Sequence, residues 1–561
     1  MSRGLAWSVA ALVAFAALGV APAGGGHWLA RLPSFGPVGS LGLGPRPIPA
    51  IVFVSRAPVP GHPGLIPGLG PIGRTVATGG RLLVREANGR IRDLLPHGAL
   101  FDVADPAVSF DGRQIAFAGT THPDSGWRLY QVGFDGHGLR ALTHTEPGAR
   151  PARFRRYDDF DPCWIAERRI CFASTRYPLT AQYAPVPVSN LYLLDLPKDG
   201  SAPAPPQRIT SERNGAEEPT IDPLRGEIVF ARWWFNRFQA SAGGVATASH
   251  EALPRDSVNL WEAVAIGVDG FHLAFADLGS RRATMAYQPA FLEDKTPVGV
   301  YALNLGLWPS SGPTGIQHFP GRVGHAERLA GAAIPDSARH AYGDALGLAA
   351  PSGCSPAGLP DGRVVFAYSP GGRGDFGIYV VDDDATFAPW MLIDLPGTLE
   401  LDPAPVVARP APWLRGIPSE SMSAAPAVIG GTSRGEFTYH SLGVFHDNHQ
   451  VPGAPPKVKG ARIRFYAAPL IGSDGDADSA ILVRETPLAS DGSILARGLP
   501  ADVPVFEQLV DAQGRVMLTA HGPAHVAGFN PGSPGTVSRC LGCHVGHSAI
   551  PIPAPIPGTR P

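Results

Sequence analysis

One recurring pattern governs how this chain can fold. A residue followed by Pro opens a short strand, a tight turn often written Asp-Gly follows, and a second strand ends in an aromatic and a small residue. The pattern reads Asp105-Pro106-Ala-Val-Ser-Phe-Asp111-Gly112-Arg-Gln-Ile-Ala-Phe117-Ala118 and returns as Asp161-Pro162 through Phe172-Ala173. Further copies run from Glu218-Pro219 to Phe230-Ala231 and from Ser355-Pro356 to Phe366-Ala367. A weaker copy starts at Gln288-Pro289, and Asp402-Pro403 begins one whose second strand does not follow it.

Asp-Gly between alternating apolar residues supplies the positive φ of a two-residue hairpin turn. Two more strands follow each hairpin, as in Arg128–Val132 and Leu139–Thr143, in Leu191–Leu194, and in Ile378–Val381. Four strands per repeat, at intervals of 47 to 70 residues, predict a β-propeller. The starts at Pro106, Pro162, Pro219, Pro289, Pro356 and Pro403 predict six blades. The missing strands of the last copy are supplied from the other end of the chain by Ile51–Val54, Arg81–Val84 and Arg90–Leu94. This join leaves no open sheet edge.

Composition agrees with an all-β chain. Gly (69) and Pro (60) are too abundant for a helical bundle or coiled coil, while 44% hydrophobic and 17% charged residues exclude a disordered chain. A net charge of -2 with no basic stripe argues against a nucleic-acid partner.

The N-terminus carries Arg3, an apolar run from Leu5 to Val20, and Ala21-Pro22-Ala23. This order is expected of a secretory signal peptide over 1–23, and hence of an exported, periplasmic or extracellular protein with no integral membrane span once the signal is removed. The expected organisation continues with an N-terminal segment 24–49, the propeller 50–410 and a linker 411–430. A small antiparallel, β-sandwich-like domain follows at 431–530, then a cofactor-attachment segment with a Pro-rich tail at 531–561.

Five cysteines remain to be placed. Cys163 and Cys171 lie on the two strands of one hairpin, where a three-residue turn at 166–168 sets them opposite each other. A disulfide and a pair of free thiols are equally compatible with that placement. Cys354 has no evident mate.

Cys540-Leu-Gly-Cys543-His544 is the attachment pattern of a c-type haem, in which two thiols add to the vinyl groups and the His binds the iron. With five Cys and 18 His in 561 positions, chance yields it in about one such chain in a thousand. Candidates for the distal side of the iron are His525, which is favoured, then His521, His440, His446, His449 and Met517; His547 stays on the proximal side. Separately, Asp474, Asp476, Asp478 and Glu485 fall at positions 1, 3, 5 and 12 of a calcium loop. Ser479 stands where Gly is wanted and the flanks read as strands, so an acidic hairpin turn is the preferred reading over calcium.

Asp105-Pro-Ala-Val-Ser-Phe-Asp-Gly, Asp158-Asp-Phe-Asp-Pro-Cys163, Leu488-Ala-Ser-Asp-Gly492-Ser and Cys540 to His544 together resemble the hydrazine synthase alpha subunit and its broader relatives. The resemblance implies a six-bladed propeller followed by a domain with one haem c held by two histidines, with His544 as the proximal one. An N-terminal catalytic haem domain of that family has no counterpart here, since no cysteine precedes Cys163, so hydrazine synthesis is not expected. The expected function is single-electron transfer, or docking in a redox complex with a partner protein, by an exported monohaem cytochrome. An oxidoreductase with substrate in the propeller channel and a binding propeller with a structural haem are the alternatives.

Overall fold

The computed structural model describes residues 46–61, 65–235, 259–270, 274–275, 287–302, 314–318, 328–331, 352–415, 435–445, 456–467, 481–523 and 537–540, apart from short gaps inside these ranges. The signal region 1–23 lies outside them. From Ile48 onward the chain forms one compact unit.

Among the described residues, six four-stranded antiparallel sheets follow one another along residues 51–405. The second, for example, runs from its inner strand Asp102–Val108 through Gln114–Thr120 and Arg128–Gly133 to the outer Arg140–Ala141. The first is composite, with Leu399–Pro405 from the far end of the repeats pairing with Ile51–Arg56, followed by Gly80–Arg85 and Ile91–Asp93. This is the join expected from the sequence. Each inner strand neighbours the next, and Leu399–Pro405 neighbours Asp102–Val108 in turn. Apolar residues of successive sheets fill the space between them, including Phe53, Phe117, Phe172, Phe230 and Phe366, all fully buried. These are the aromatic positions of the repeat.

The X-Pro pair has a different place from the one expected. It does not begin a strand but sits in the middle of the inner one, where the register slips between Ala104 and Ala107, Phe160 and Cys163, Glu217 and Thr220, Tyr287 and Ala290, and Cys354 and Ala357. Each pair is a β-bulge. Proline has no N–H to lose from the ladder, and a bulge is one of the few interior strand positions that tolerate it.

Residues 411–415, the described part of the expected linker, are docked. The Arg415 N–H donates to the Gly226 carbonyl at 2.8 Å, and its guanidinium meets Glu227 at 2.6 Å. A Cβ on Gly226 would lie 2.1 Å from the Trp413 carbonyl oxygen, so this approach requires glycine.

The C-terminal part has two three-stranded sheets. One pairs Arg462–Ala467 with Ile481–Pro487 and Val505–Val510; the other sets Glu436–Ser441 between Ile494–Pro500 and Val537–Cys540. Phe437, Tyr439, Ile463, Phe465, Leu499 and Leu509 form their shared core. The domain is not purely antiparallel as expected. Val537–Cys540 runs parallel to Glu436–Ser441, so the attachment segment enters the sheet before it reaches its motif.

Candidate functional site

Two places gather chemistry-bearing residues. The first is the end of the strand Val537–Cys540, whose register sets Arg539 beside His440 and Cys540 beside Ser441. Cys543 and His544 follow immediately but lie outside the described residues, as do His525, His521, His446, His449 and His547. On the central strand, Phe437, Tyr439 and Ser441 are buried, whereas Thr438 and His440 are half-buried on the opposite face. Val537, in register with Thr438, and Leu495, in register with His440, are 46% and 48% exposed, and Leu442 just beyond the strand is 62% exposed. Three large apolar side chains of this sheet are therefore exposed, whereas Cys540 is in register with Ser441 of the buried face. Met517, another distal candidate, is buried in the domain core.

Glu485 is occupied by basic residues. One carboxylate oxygen accepts from Arg464 Nε at 2.6 Å, and the other lies 3.0 Å from Arg462 Nε. Asp474, Asp476 and Asp478 lie outside the described residues. Cys163 and Cys171 are direct cross-strand partners, as expected, and both are free thiols. Their opposition comes from a two-residue turn at Glu167-Arg168 plus one extra residue, Ile165, and not from a three-residue turn. Burial pushes the Cys163 thiol up to about 12 and raises that of Cys171 as well. Cys354 is buried and free.

The second place was not anticipated. The six residues before proline, Asp105, Asp161, Glu218, Gln288, Ser355 and Asp402, all adopt positive φ between 46° and 55°. Such angles are uncommon for non-glycine residues and cost energy that the surroundings must offset. Here hydrogen bonds offset it. Asp402 Oδ2 accepts the Asp105 N–H at 3.3 Å, Asp105 Oδ2 the Asp161 N–H at 3.2 Å, and Asp161 Oδ2 the Glu218 N–H at 2.8 Å. Gln288 Nε2 donates to Glu218 Oε1 at 2.9 Å, Gln288 Oε1 accepts the Ser355 N–H at 2.7 Å, and Ser355 Oγ donates to Asp402 Oδ1 at 2.6 Å. The circuit closes on itself. It ties each inner strand to the next, and it concentrates four carboxyl groups. Burial raises all four proton affinities, Asp161 to about 7, and mutual repulsion adds to it at Asp105 and Glu218.

A long connection joins the strands Ile51–Arg56 and Gly80–Arg85, and its residues 65–79 are described. Ile66 and Leu69 are buried in one cluster with Tyr177, Leu179, Val188, Trp233, Trp261 and Tyr287, which belong to three other sheets and their loops. A single helical turn at Gly70–Gly73 ends at Arg74, which is buried. Its guanidinium contacts the Glu217 carboxylate, reaches Ser189 Oγ at 3.2 Å and the Pro187 carbonyl at 2.5 Å, and lies 5.1 Å from the centre of the Phe160 ring. Tyr287 donates its hydroxyl proton to the other Glu217 oxygen at 2.6 Å.

The sequence matches no protein-family model and no curated protein. Among solved structures it is similar to hydrazine synthase of Kuenenia stuttgartiensis, with TM-score 0.63 and 17% identity over 89% of this chain and 69% of that one. The fold is a hydrazine synthase-like β-propeller. TolB from Acinetobacter baumannii aligns with TM-score 0.36 and 13% identity over 64% of this chain and 66% of that one. The propeller domain of the Trilobed protease from Pyrococcus furiosus aligns with TM-score 0.30 and 9% identity over 56% and 78%. Neither of the last two bears on function.

Proposed function

We propose that the protein is an exported monohaem c-type cytochrome in which a six-bladed propeller serves as scaffold or docking surface and the C-terminal haem exchanges single electrons with a redox partner protein. The observation that carries this reading is Cys540-x-x-Cys543-His544 beginning at the last paired residue of the strand Val537–Cys540. The donor set fits the group, since two thiols and an imidazole within five residues are what thioether attachment and proximal ligation need. Cys540 and Cys543 hold the haem and His544 its iron; when bound, it provides one-electron chemistry. His525 remains the preferred second ligand. The likeness to a hydrazine synthase accords with this reading through the fold alone.

The alternative is an oxidoreductase with substrate bound in the propeller channel. The visible spectrum of the ferrous protein distinguishes the two: a low-spin spectrum unchanged by carbon monoxide supports the carrier, and a high-spin spectrum that shifts with carbon monoxide contradicts it.

A further inference from the structure

Arg74 is a buried cation from a connecting segment, seated among groups contributed by other sheets and their loops. Glu217 and Ser189 are fully buried, and Tyr287 is 1% exposed. Together with the Pro187 carbonyl and the Phe160 ring they provide what a guanidinium group needs: a carboxylate, a carbonyl and hydroxyl acceptor, and an aromatic face. Tyr287 fixes the carboxylate from its far side.

Simple plugging of a propeller does not explain this arrangement. Ile66 and Leu69 already pack there by apolar burial, and a buried ion pair is commonly no more stabilising than well-packed apolar residues of the same volume. The polar groups are selective for a cation. Desolvation lowers the proton affinity of Arg74 to about 10, while the nearby Asp158 and Asp161 favour its charged form.

We propose that the chamber formed by Phe160, Pro187, Ser189, Glu217 and Tyr287 is a guanidinium-binding site which the chain fills with its own Arg74. Arg74 is then a tethered occupant. An arginine side chain of a partner or a small guanidinium compound gains the chamber only by displacing it. This inference does not rest on the haem.

The test is chemical rescue in the full-length protein carrying Arg74→Ala, with N-ethylguanidinium as probe and N-ethylurea as its uncharged counterpart. Thermal midpoints are followed by circular dichroism. The expected result is a lowered midpoint that millimolar N-ethylguanidinium raises saturably by about 3 °C, with no effect of N-ethylurea and none on the wild type. The double variant Arg74→Ala/Glu217→Gln should lose the response. If Arg74→Ala does not fold alone, the probe must restore its folded spectrum. Absence of any response in Arg74→Ala, folded or not, or an equal response in the wild type or the double variant, overturns the proposal.

Discussion

Asp161 accepts the backbone N–H of Glu218 at 2.8 Å while its own N–H donates to Asp105 at 3.2 Å, so one residue is both a link received and a link passed on. The same relation, carried by different side chains, joins six inner strands that are far apart in sequence. Residues held at positive φ before proline would be unfavourable alone. Their cost is offset by presenting each N–H to the neighbouring strand's side chain.

Removing one acceptor from this circuit should be costly. Asp161→Ala removes the acceptor of the partly buried Glu218 N–H and is expected to destabilise by about 1–3 kcal/mol. Asp161→Asn keeps an oxygen in place and removes a crowded charge, so its stability at pH 7 should stay within about 1 kcal/mol of the wild type. Urea unfolding of the two variants checks the difference.

The ring also sets a pH dependence. Asp161 is raised from 3.8 to about 7 in the fold, and Asp105, Glu218 and Asp402 shift in the same direction. Between those values the folded state holds more protons than the unfolded one, so stability contributed by the ring is full near pH 4 and falls as pH rises through 7. Urea midpoints measured from pH 4 to 8 should show this decline, less steeply in Asp161→Asn.

Cys163 and Cys171 face each other yet are shielded. With its thiol pushed from 9.0 up to about 12, Cys163 holds very little thiolate at pH 8. Alkylation by iodoacetamide in the native protein should run about a thousandfold slower than in denaturant. Timed mass spectrometry of the labelled peptides measures the ratio.

The repeat made the four-stranded sheets legible because Asp-Gly turns and aromatic-small strand ends are local signals. The pairing of Leu399–Pro405 with Ile51–Arg56 was also legible, since each end lacked what the other supplied. The ring was not. Asp105-Pro106 reads locally as a strand start, and only the tertiary arrangement shows that the odd φ faces an equivalent residue 297 positions away. Arg74 was equally hidden, because a Gly- and Pro-rich connection of this kind reads as a surface loop and nothing in it signals burial. The parallel addition of Val537–Cys540 needed a long-range pairing that no turn announces. At the C-terminus, Cys540-x-x-Cys543-His544 was plain from spacing, whereas nothing in that spacing selects a second ligand among the other histidines.

The haem content of the purified, denatured protein tests the central claim most directly. After acid-acetone extraction, the pyridine haemochrome spectrum should show one haem per chain still attached, and Cys540→Ala/Cys543→Ala should abolish it. A wild-type chain made in a host competent for c-type haem attachment that retains no covalent haem would contradict the account.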